Sequence, residues 1–254
     1  MIEISSKSND HFKRWVDISS ARGIKKHGEF ILMGEKLIEE FLKNPHIKVK
    51  GEILHEDLKS VCMVTPAFKG QRIPIYKLPK AMFNEVDVVG THYNLLVLEA
   101  APIESLASSQ KVEGLEVVAP LGDPANLGAM ARSALAFGAS KLILTEETCN
   151  PYHPKAIKAS AGALLKLPLY KTSSFSSFLQ SNEELFALDM KGENVGNFKW
   201  PKDLRLAVGE EGPGFSGMKG LKRLSVPTLD VESLNATVAA SIAFFTYASQ
   251  HSKV

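Results

Sequence analysis

The chain has 254 residues, of which 44% are hydrophobic, and it has a formal net charge of +2. That length and apolar content predict a soluble globular protein with one large core or two ordinary cores. Two cysteines exclude a disulfide framework, and the polar start and the lack of an eighteen-residue apolar run argue against a secretory leader or a membrane span, so we expect a cytoplasmic protein.

The first third of the chain is basic. Residues 1–80 hold 15 Lys and Arg against 10 Asp and Glu, whereas the remaining residues hold 15 against 18. Trp15, Phe30, Phe68 and Tyr76 lie among these basic groups. Basic groups with nearby aromatic residues are typical of a surface that binds a nucleic-acid backbone. The solvated faces of an ordinary α/β domain fit the same charges equally well.

The N-terminal elements predict a small α/β module. Residues 34–44 (GEKLIEEFLKN) have the spacing of an amphipathic helix, and residues 51–56 (GEILHE) and 61–66 (VCMVTP) are typical of short strands. A small, polar and unpatterned segment follows, which suits a linker. The predicted organisation is an N-terminal α/β domain over 1–100, a linker over 101–113 and a second domain over 114–254.

Apolar strands alternate with helical patterns after the linker. The predicted strands are LEVVAPL, SKLILT, PLYK, LFALDM and LRLAVG, and the predicted helices are NLGAMARSALAFG, PKAIKASAGALLK and SSFSSFLQ. Strands that are apolar on both faces and separated by helices indicate a parallel sheet covered on both sides. The final helix, SLNATVAASIAFFTYASQ, is apolar nearly all round, which indicates burial under the sheet or against a second subunit.

Ligands of open parallel sheets bind outside the carboxyl ends of the strands, so the loops there are candidate sites. The first such loop opens GDPANLGAMAR, residues 122–132. Asn126 can cap the helix that follows by accepting a backbone hydrogen bond. Arg132 lies further along that helix among small residues, where a surface role and a functional role are about equally compatible with the pattern.

The second loop is VGEEGPGFSG, residues 208–217. Gly209, Gly212 and Gly214 let backbone approach a ligand closely, and their spacing differs from that of a dinucleotide-binding loop. The adjacent Glu210 and Glu211 would repel a phosphate, but they could accept hydrogen bonds from a ribose, an amino group or an arginine. A plain acidic surface turn also fits this segment.

The third loop is VPTLDVESLNATVAA, residues 226–240. Ser233 can cap the last helix, with Asn235 in its first turn. Polar side chains at the N-terminus of a buried helix can also bind an anion or a polar ligand.

Together the three loops carry the motifs of a known family. N-x-G-x-x-x-R is matched by Asn126, Gly128 and Arg132, G-x-E-x-x-G by Gly209, Glu211 and Gly214, and S-L-N by Ser233, Leu234 and Asn235. Three motifs in this order over about 110 residues are a specific signal. Residues 114–254 therefore resemble the catalytic domain of the SpoU/TrmH branch of the SPOUT methyltransferases, which methylate ribose 2′-hydroxyls in RNA with S-adenosylmethionine.

Two segments depart from the family pattern. The stretch ARGIKKHGEFILMGEKLIEEF resembles the opening of the family's ribosomal-protein-like substrate-binding domain, with Met33 where a glutamate usually stands. The third motif is one residue shorter than usual and lacks its glycine, so Leu229 or Asp230 occupies the bend. Because that glycine can adopt backbone angles closed to other residues, its loss could reshape the cofactor loop.

The resemblance implies an α/β fold with a deep trefoil knot in the C-terminal domain, a homodimer packed through that domain, and S-adenosyl-L-methionine as cofactor. It also implies cofactor contacts at Gly209, Val226 and Leu234, made largely through backbone. No metal and no membrane partner is expected, because no His/Asp/Glu cluster has ligand spacing.

The resemblance assigns the central catalytic role to Arg132, sometimes as a base. A guanidinium has no acceptor and is almost never deprotonated, so we expect Arg132 to clamp a phosphate and stabilise the developing alkoxide. Asn126 and Asn235 are then expected to hold its geometry or the ribose, and Glu211 and Ser233 to complete the network.

The leading hypothesis is a 2′-O-methyltransferase of ribosomal RNA, because a separate N-terminal module that resembles a ribosomal protein favours a structured ribosomal substrate. A tRNA 2′-O-methyltransferase and a non-catalytic RNA-binding assembly factor are the alternatives. A small-molecule α/β enzyme ranks last, because the chain has no phosphate-binding loop of the usual type.

Overall fold

The computed structural model describes residues 1–56, 62–68, 72–107, 110–182, 185–210, 215 and 218–251. The chain forms two compact units. The first comprises Met1–Pro102 and Tyr152–Lys158, and the second comprises Ile103–Pro151 and Ala159–Val254. The short segment Tyr152–Lys158 thus belongs to the first unit, although both of its neighbours in sequence belong to the second.

The first unit is built on a five-stranded mixed sheet. Its elements are β1 (Ile2–Glu3), α1 (Asp10–Asp17), α2 (Ala21–His27), β2 (Glu29–Met33), α3 (Glu35–Lys43), β3 (Val49–His55), α4 (Val64–Ala67), β4 (Ile75–Leu78), α5 (Lys80–Val86) and β5 (Leu95–Glu99). The strand order is β1-β4-β3-β5-β2, in which β5 runs antiparallel to both of its neighbours. Helix α1 begins where Asn9 Oδ1 accepts from the His11 N–H, and it buries Phe12 and Trp15, which lie three residues apart on one face.

Two of the three elements predicted in this unit are confirmed. The helix in residues 34–44 is α3, and the strand in residues 51–56 lies in β3. The strand predicted for residues 61–66 is wrong, because Val64 begins helix α4. The buried Glu52 carboxylate accepts hydrogen bonds from the N–H groups of Met63 and Val64 and so caps the first turn from a distant strand.

The second unit contains a seven-stranded sheet in which every pair of neighbouring strands is parallel. Its strands are β6 (Glu104–Ser105), β7 (Leu115–Ala119), β8 (Lys141–Leu144), β9 (Leu169–Lys171), β10 (Leu185–Asn194), β11 (Leu204–Val208) and β12 (Lys222–Ser225). The order β12-β10-β11-β7-β8-β9-β6 confirms the predicted parallel α/β architecture. Strand β6 lies within the segment predicted as a linker and pairs with β9.

The second unit also contains helices α6 (Pro124–Ala136), α8 (Phe175–Gln180) and α9 (Ala236–Gln250). Helix α7 (Pro154–Ala159) lies almost wholly in the segment that belongs to the first unit. Helix α6 packs against α9, where the Ser133 and Ser241 hydroxyls lie 2.7 Å apart and the Phe137 and Phe245 rings meet edge to face. In the described ranges, no helix has the length and apolar character needed to cross a membrane.

The helix predicted over PKAIKASAGALLK is interrupted. Helix α7 ends at Ala159, and a separate 3-10 turn covers Ala163–Leu165. Between them Ala161 and Gly162 have positive φ angles of 46° and 85°, which lie outside the right-handed helical region. An unbroken helix across this segment is therefore excluded.

A buried ion network lies at the amino ends of the central strands. Parallel register places Glu116 on β7 beside Lys141 on β8 and Arg205 on β11. One Glu116 oxygen lies 2.9 Å from Lys141 Nζ, and the other accepts from Arg205 Nε at 2.8 Å. Arg205 also donates to Asn182 Oδ1 and to the Gln110 carbonyl. The network therefore connects the amino ends of β7, β8 and β11 through side chains.

Candidate active site at the carboxyl edge of the sheet

The parallel topology brings the three motif-bearing loops to one edge of the second unit. Strands β7 and β11 are neighbours, and β12 is separated from β11 only by β10. Because the strands run in the same direction, the loops that follow β7, β11 and β12 all leave the carboxyl edge. Glu211 and Gly214, from the second motif, lie outside the described residues.

The start of α6 is capped by Asp123. Its carboxylate accepts from the Asn126 N–H at 2.8 Å, and Pro124 occupies the first turn. The cap predicted for Asn126 is therefore wrong, because Asn126 lies inside the helix and donates to the cap through its backbone. The half-buried Asn126 side chain is not used in capping, which leaves it at the carboxyl edge for another role.

Arg132 lies further along α6 and is exposed, although Met130 and Ala131 beside it are buried. Within the part of the chain that the structure describes, its guanidinium makes no hydrogen bond or ion pair. The Cα–Cβ bonds of a helix tilt toward its N-terminus, which for α6 is the end at the carboxyl edge. Arg132 therefore presents free donors on the exposed face of α6, with its side chain inclined toward the start of the helix.

Glu210 joins the first two loops, a contact that sequence reasoning missed. Its Oε1 accepts from the N–H of Gly122 at 2.5 Å and from the N–H of Asp123 at 3.0 Å. A Cβ at position 122 would lie 3.0 Å from the same oxygen, so glycine there permits the approach. The carboxylate thus holds the residue that caps α6, and through it the helix that carries Asn126 and Arg132.

A neutral thiol lies beside this junction. Burial, together with the carboxylates of Asp123 and Glu210, raises the pKa of the Cys149 thiol to about 12. The Cys149 N–H donates to the Leu121 carbonyl, so this residue also supports the loop after β7. Cys149 is therefore a structural group here, since a nucleophilic cysteine needs a lowered pKa.

The loop between β12 and α9 is closed by Thr228, whose hydroxyl donates to the Val231 carbonyl at 2.7 Å. Among the described non-glycine residues, only His92 and Ala161 have positive φ. Leu229 and Asp230 therefore bend the chain with ordinary backbone angles. The missing glycine of the third motif is not required by this loop.

Asn235, and not Ser233, caps α9. Its Oδ1 accepts from the Thr237 N–H at 3.0 Å and approaches the Val238 N–H at 3.4 Å. The prediction that Ser233 caps the helix is wrong, because α9 begins at Ala236 and Ser233 lies too far outside its first turn. Ser233 is exposed in the loop, and Leu234 beside it is half-buried.

These loops suit a ligand that is both flat and cationic. Val226 and Leu234 are half-buried at the two ends of the exposed third loop, where apolar side chains can contact an aromatic base. At Gly209 a Cβ would lie 3.0 Å from the Phe215 ring, so any larger residue at that turn would have to displace the ring. Asp123 and Glu210 add negative charge beside the turn. No group of three His, Cys, Asp or Glu that could hold a metal occurs in the described residues.

The chain is an α/β protein with a candidate ligand site at the carboxyl edge of a parallel sheet. The model of the SpoU rRNA Methylase family matches residues 116–245. The chain is 30% identical to the 23S rRNA (guanosine(2553)-2′-O)-methyltransferase RlmP of Bacillus subtilis, and the match covers 95% of this chain and 97% of that protein. This chain therefore belongs to the SpoU rRNA methylase family, which confirms the resemblance found in the motifs.

Two further comparisons concern length and fold. The chain is 32% identical to the ribosomal RNA small subunit methyltransferase G 2 of Syntrophobacter fumaroxidans, but its match covers 99% of this chain and only 50% of that protein. The SpoU methyltransferase AviRb of Streptomyces viridochromogenes, solved with AdoMet, superposes with a TM-score of 0.80 at 21% identity over 96% of this chain and 98% of that one. The superposition on AviRb shows that this chain and AviRb share a fold.

Proposed function

We propose that this chain transfers a methyl group from S-adenosyl-L-methionine to a ribose 2′-hydroxyl in structured RNA, and that its substrate is 23S-type ribosomal RNA. The observation that carries the proposal is the exposed guanidinium of Arg132, unpaired within the described residues, on the helix that leaves the first of the three motif loops. The name of the Bacillus relative supports both the 2′-O position and the 23S substrate, since that match spans nearly all of both chains.

The cofactor would be held by Gly209, Val226 and Leu234. S-adenosylmethionine supplies a methyl group on a sulfonium, which makes that carbon electrophilic. The half-buried Val226 and Leu234 would contact the adenine, and the negative charge of Asp123 and Glu210 would favour a cationic ligand at this edge.

The residues of the chain then act by placement and electrostatics. The 2′-oxygen must lie in line with the bond that breaks, so positioning supplies much of the rate enhancement. Arg132 clamps the phosphate next to the target ribose and stabilises the negative charge that develops on the 2′-oxygen, while the hydroxyl proton leaves to water. Asn126 and Asn235 orient the ribose and Arg132, and Ser233 and Glu211 complete the polar contacts.

We also propose that the second unit is knotted and forms a homodimer through α9, and that the protein works in the cytoplasm, where ribosomal RNA is available. Val238 and Phe245 on α9 are 48% and 50% exposed. Apolar side chains that stay exposed on one helix are typical of a protein interface. Sedimentation equilibrium should give twice the mass of the chain, and replacement of Phe245 by Asp should give the monomer.

Methyl transfer to purified RNA tests the activity. The protein is incubated with tritiated S-adenosylmethionine and with 23S rRNA, 16S rRNA or tRNA from cells that lack its gene. We expect label in 23S rRNA that survives alkaline hydrolysis in a dinucleotide, because a 2′-O-methyl group blocks attack by that oxygen on the neighbouring phosphate. Label in tRNA alone would favour the tRNA alternative. Failure to bind S-adenosylmethionine in calorimetry would favour the assembly factor.

A further inference from the structure

The first unit contains a cavity of about 270 Å³ between helix α1 and one face of its sheet. Small-molecule sites enclose about 300–1,000 Å³, so this cavity suits a single flat ring system. His11, Arg14 and Trp15 line it from α1, and Tyr76 and Val97 line it from the sheet. Its walls therefore combine aromatic rings with charge.

Two carboxylates face each other beside this cavity. Antiparallel register places Glu29 on β2 directly opposite Glu99 on β5. Like charges in such a pair destabilise a sheet unless cations offset them. Lys50 Nζ lies 3.0 Å from Glu99 Oε1, whereas Arg14 approaches Glu29 only at 3.4 Å. Glu29, which lines the cavity and is 9% exposed, thus keeps unused acceptor capacity among the described residues.

A bulge in β3 directs Lys50 into the cavity wall. Val49 pairs with Leu98 and Gly51 pairs with Val97, so Lys50 is an extra residue with no partner on β5. A bulge of this kind turns the inserted side chain away from its regular alternation. The result places an ammonium and the Glu29 carboxylate on the rim of one cavity.

The floor of the cavity depends on a glycine. A Cβ at Gly51 would lie 3.0 Å from Tyr76 Cε2, so glycine lets the tyrosine ring lie this close to β3 without displacement. The Tyr76 ring contacts Trp15 edge to face at 4.9 Å and His11 at 5.0 Å. These three rings form a rigid aromatic wall beside Glu29 and Lys50.

We propose that this cavity binds one unpaired guanine base of an RNA. Guanine alone among the four bases presents two adjacent donors, N1–H and N2–H, next to the acceptor O6 on one edge. The ionised Glu29 carboxylate can accept from both donors, and Lys50 or Arg14 can donate to O6. The aromatic wall contacts the apolar surface of the base, as in other sites for unpaired RNA bases. The proposal rests on the proposed function only in that it takes RNA as the ligand.

Intrinsic fluorescence measures this binding directly. The chain has two tryptophans, so Trp200→Phe leaves Trp15, in the cavity wall, as the only indole. The variant is titrated at fixed salt with the RNA pentamers UUGUU, UUAUU, UUCUU and UUUUU. We expect UUGUU to bind about tenfold more tightly than the other three, in line with the discrimination of one bidentate base contact. Anisotropy of labelled pentamers with the unaltered protein gives the same comparison if Trp200→Phe does not fold.

Two variants separate base recognition from general attraction to RNA. Glu29→Gln keeps the shape but exchanges one acceptor for a donor, so the four pentamers should bind with equal affinity. Lys50→Ala should weaken UUGUU more than the other pentamers. Lys48→Ala is the matched control, since Lys48 also approaches Glu99 but its side chain is 66% exposed and lies outside the cavity lining. It should weaken all four pentamers alike.

Equal binding of the four pentamers by the unaltered protein would overturn the proposal, and so would a guanine preference that persists in Glu29→Gln. Methyl transfer is not part of these measurements and depends on the second unit. Equal binding of the four pentamers by an unaltered protein that transfers methyl groups would therefore refute this inference alone. Absence of methyl transfer with the preference intact would refute the proposed function alone.

Discussion

The second unit carries two arginines that have opposite surroundings. Arg205, at the amino edge of the sheet, is 8% exposed and bonds to Glu116, Asn182 and the Gln110 carbonyl. Arg132, on helix α6, is exposed and has no partner among the described residues. A buried arginine that donates from each of its three nitrogens stabilises a fold, whereas an exposed arginine with free donors is available to a ligand.

Replacement of Arg205 by methionine should have the largest effect in this comparison. The change leaves Glu116 buried with Lys141 as its only cation and removes the donors to Asn182 and Gln110. We expect the free energy of unfolding to fall by about 3–5 kcal/mol, as for other broken buried ion pairs. Urea denaturation followed by circular dichroism measures it.

The same substitution at Arg132 is the control. Arg132→Met should change the free energy of unfolding by less than about 0.5 kcal/mol, because an exposed side chain without partners contributes little. Equal losses of stability at both positions would show that Arg132 contributes as much to the fold as Arg205 does.

Although Arg132 should contribute little to stability, it should contribute strongly to the rate of methyl transfer. Arg132→Met should reduce the single-turnover rate of methyl transfer by about 10²–10³-fold, the usual cost of one lost donor to a developing oxyanion. The affinity for S-adenosylmethionine should stay unchanged.

Arg132→Lys distinguishes an electrostatic clamp from a base. A clamp predicts weak activity that does not rise with the deprotonation of the lysine. Activity that recovers at high pH, along the titration of the lysine itself, would instead identify residue 132 as a base.

Glu210 is predicted to have a smaller effect, because it acts on the catalytic helix through the cap of α6. Glu210→Gln keeps one acceptor for the N–H groups of Gly122 and Asp123 but removes its charge. We expect kcat/KM to fall about tenfold, since hydrogen bonds to charged groups are worth about 1.5–3 kcal/mol and the amide retains part of this. Glu146→Gln, an exposed carboxylate on the loop after β8, should leave kcat/KM unchanged. A Glu210 variant that matches this control would exclude the positioning role.

Local patterns predicted most strands and helices of the second unit and the edge at which its three motif loops leave the sheet. The apolar strands, the small-residue helix α6 and the long helix α9 each depend on residues within one segment, so their periodicity is visible in the sequence. Because parallel strands place their loops at one edge, the pattern also located the three motif loops together. The reaction was indicated by the resemblance of the motifs to a known family and not by the pattern of strands and helices.

Contacts between distant residues could not be predicted in this way. Glu210 bonds to Gly122 across 88 positions and Arg205 to Glu116 across 89, and neither pair has a local signal. The caps were assigned to Asn126 and Ser233 because several good capping residues stand within a few positions of each helix start. Which of them caps depends on where the helix begins, and that position is set by packing.

The smallest predicted effect concerns Cys149, which reports the negative charge at the carboxyl edge. Burial, followed by Asp123 and Glu210, raises the pKa of its thiol to about 12, so the folded protein should hold almost no thiolate at pH 8. In a Cys62→Ala background, iodoacetamide should therefore react far more slowly with the native chain than with the chain in urea. Because the raised pKa favours the protonated folded state, the free energy of unfolding should also decrease as the pH rises from about 9 to 12, and Cys149→Ala should reduce this decrease.

Glu210→Gln should speed alkylation of the native chain only a few-fold, since burial contributes more to the raised pKa of Cys149 than the Glu210 carboxylate does. An unchanged alkylation rate would mean that Glu210 adds no negative potential at the thiol. Asp123 would then be the carboxylate at this junction that favours a cationic ligand.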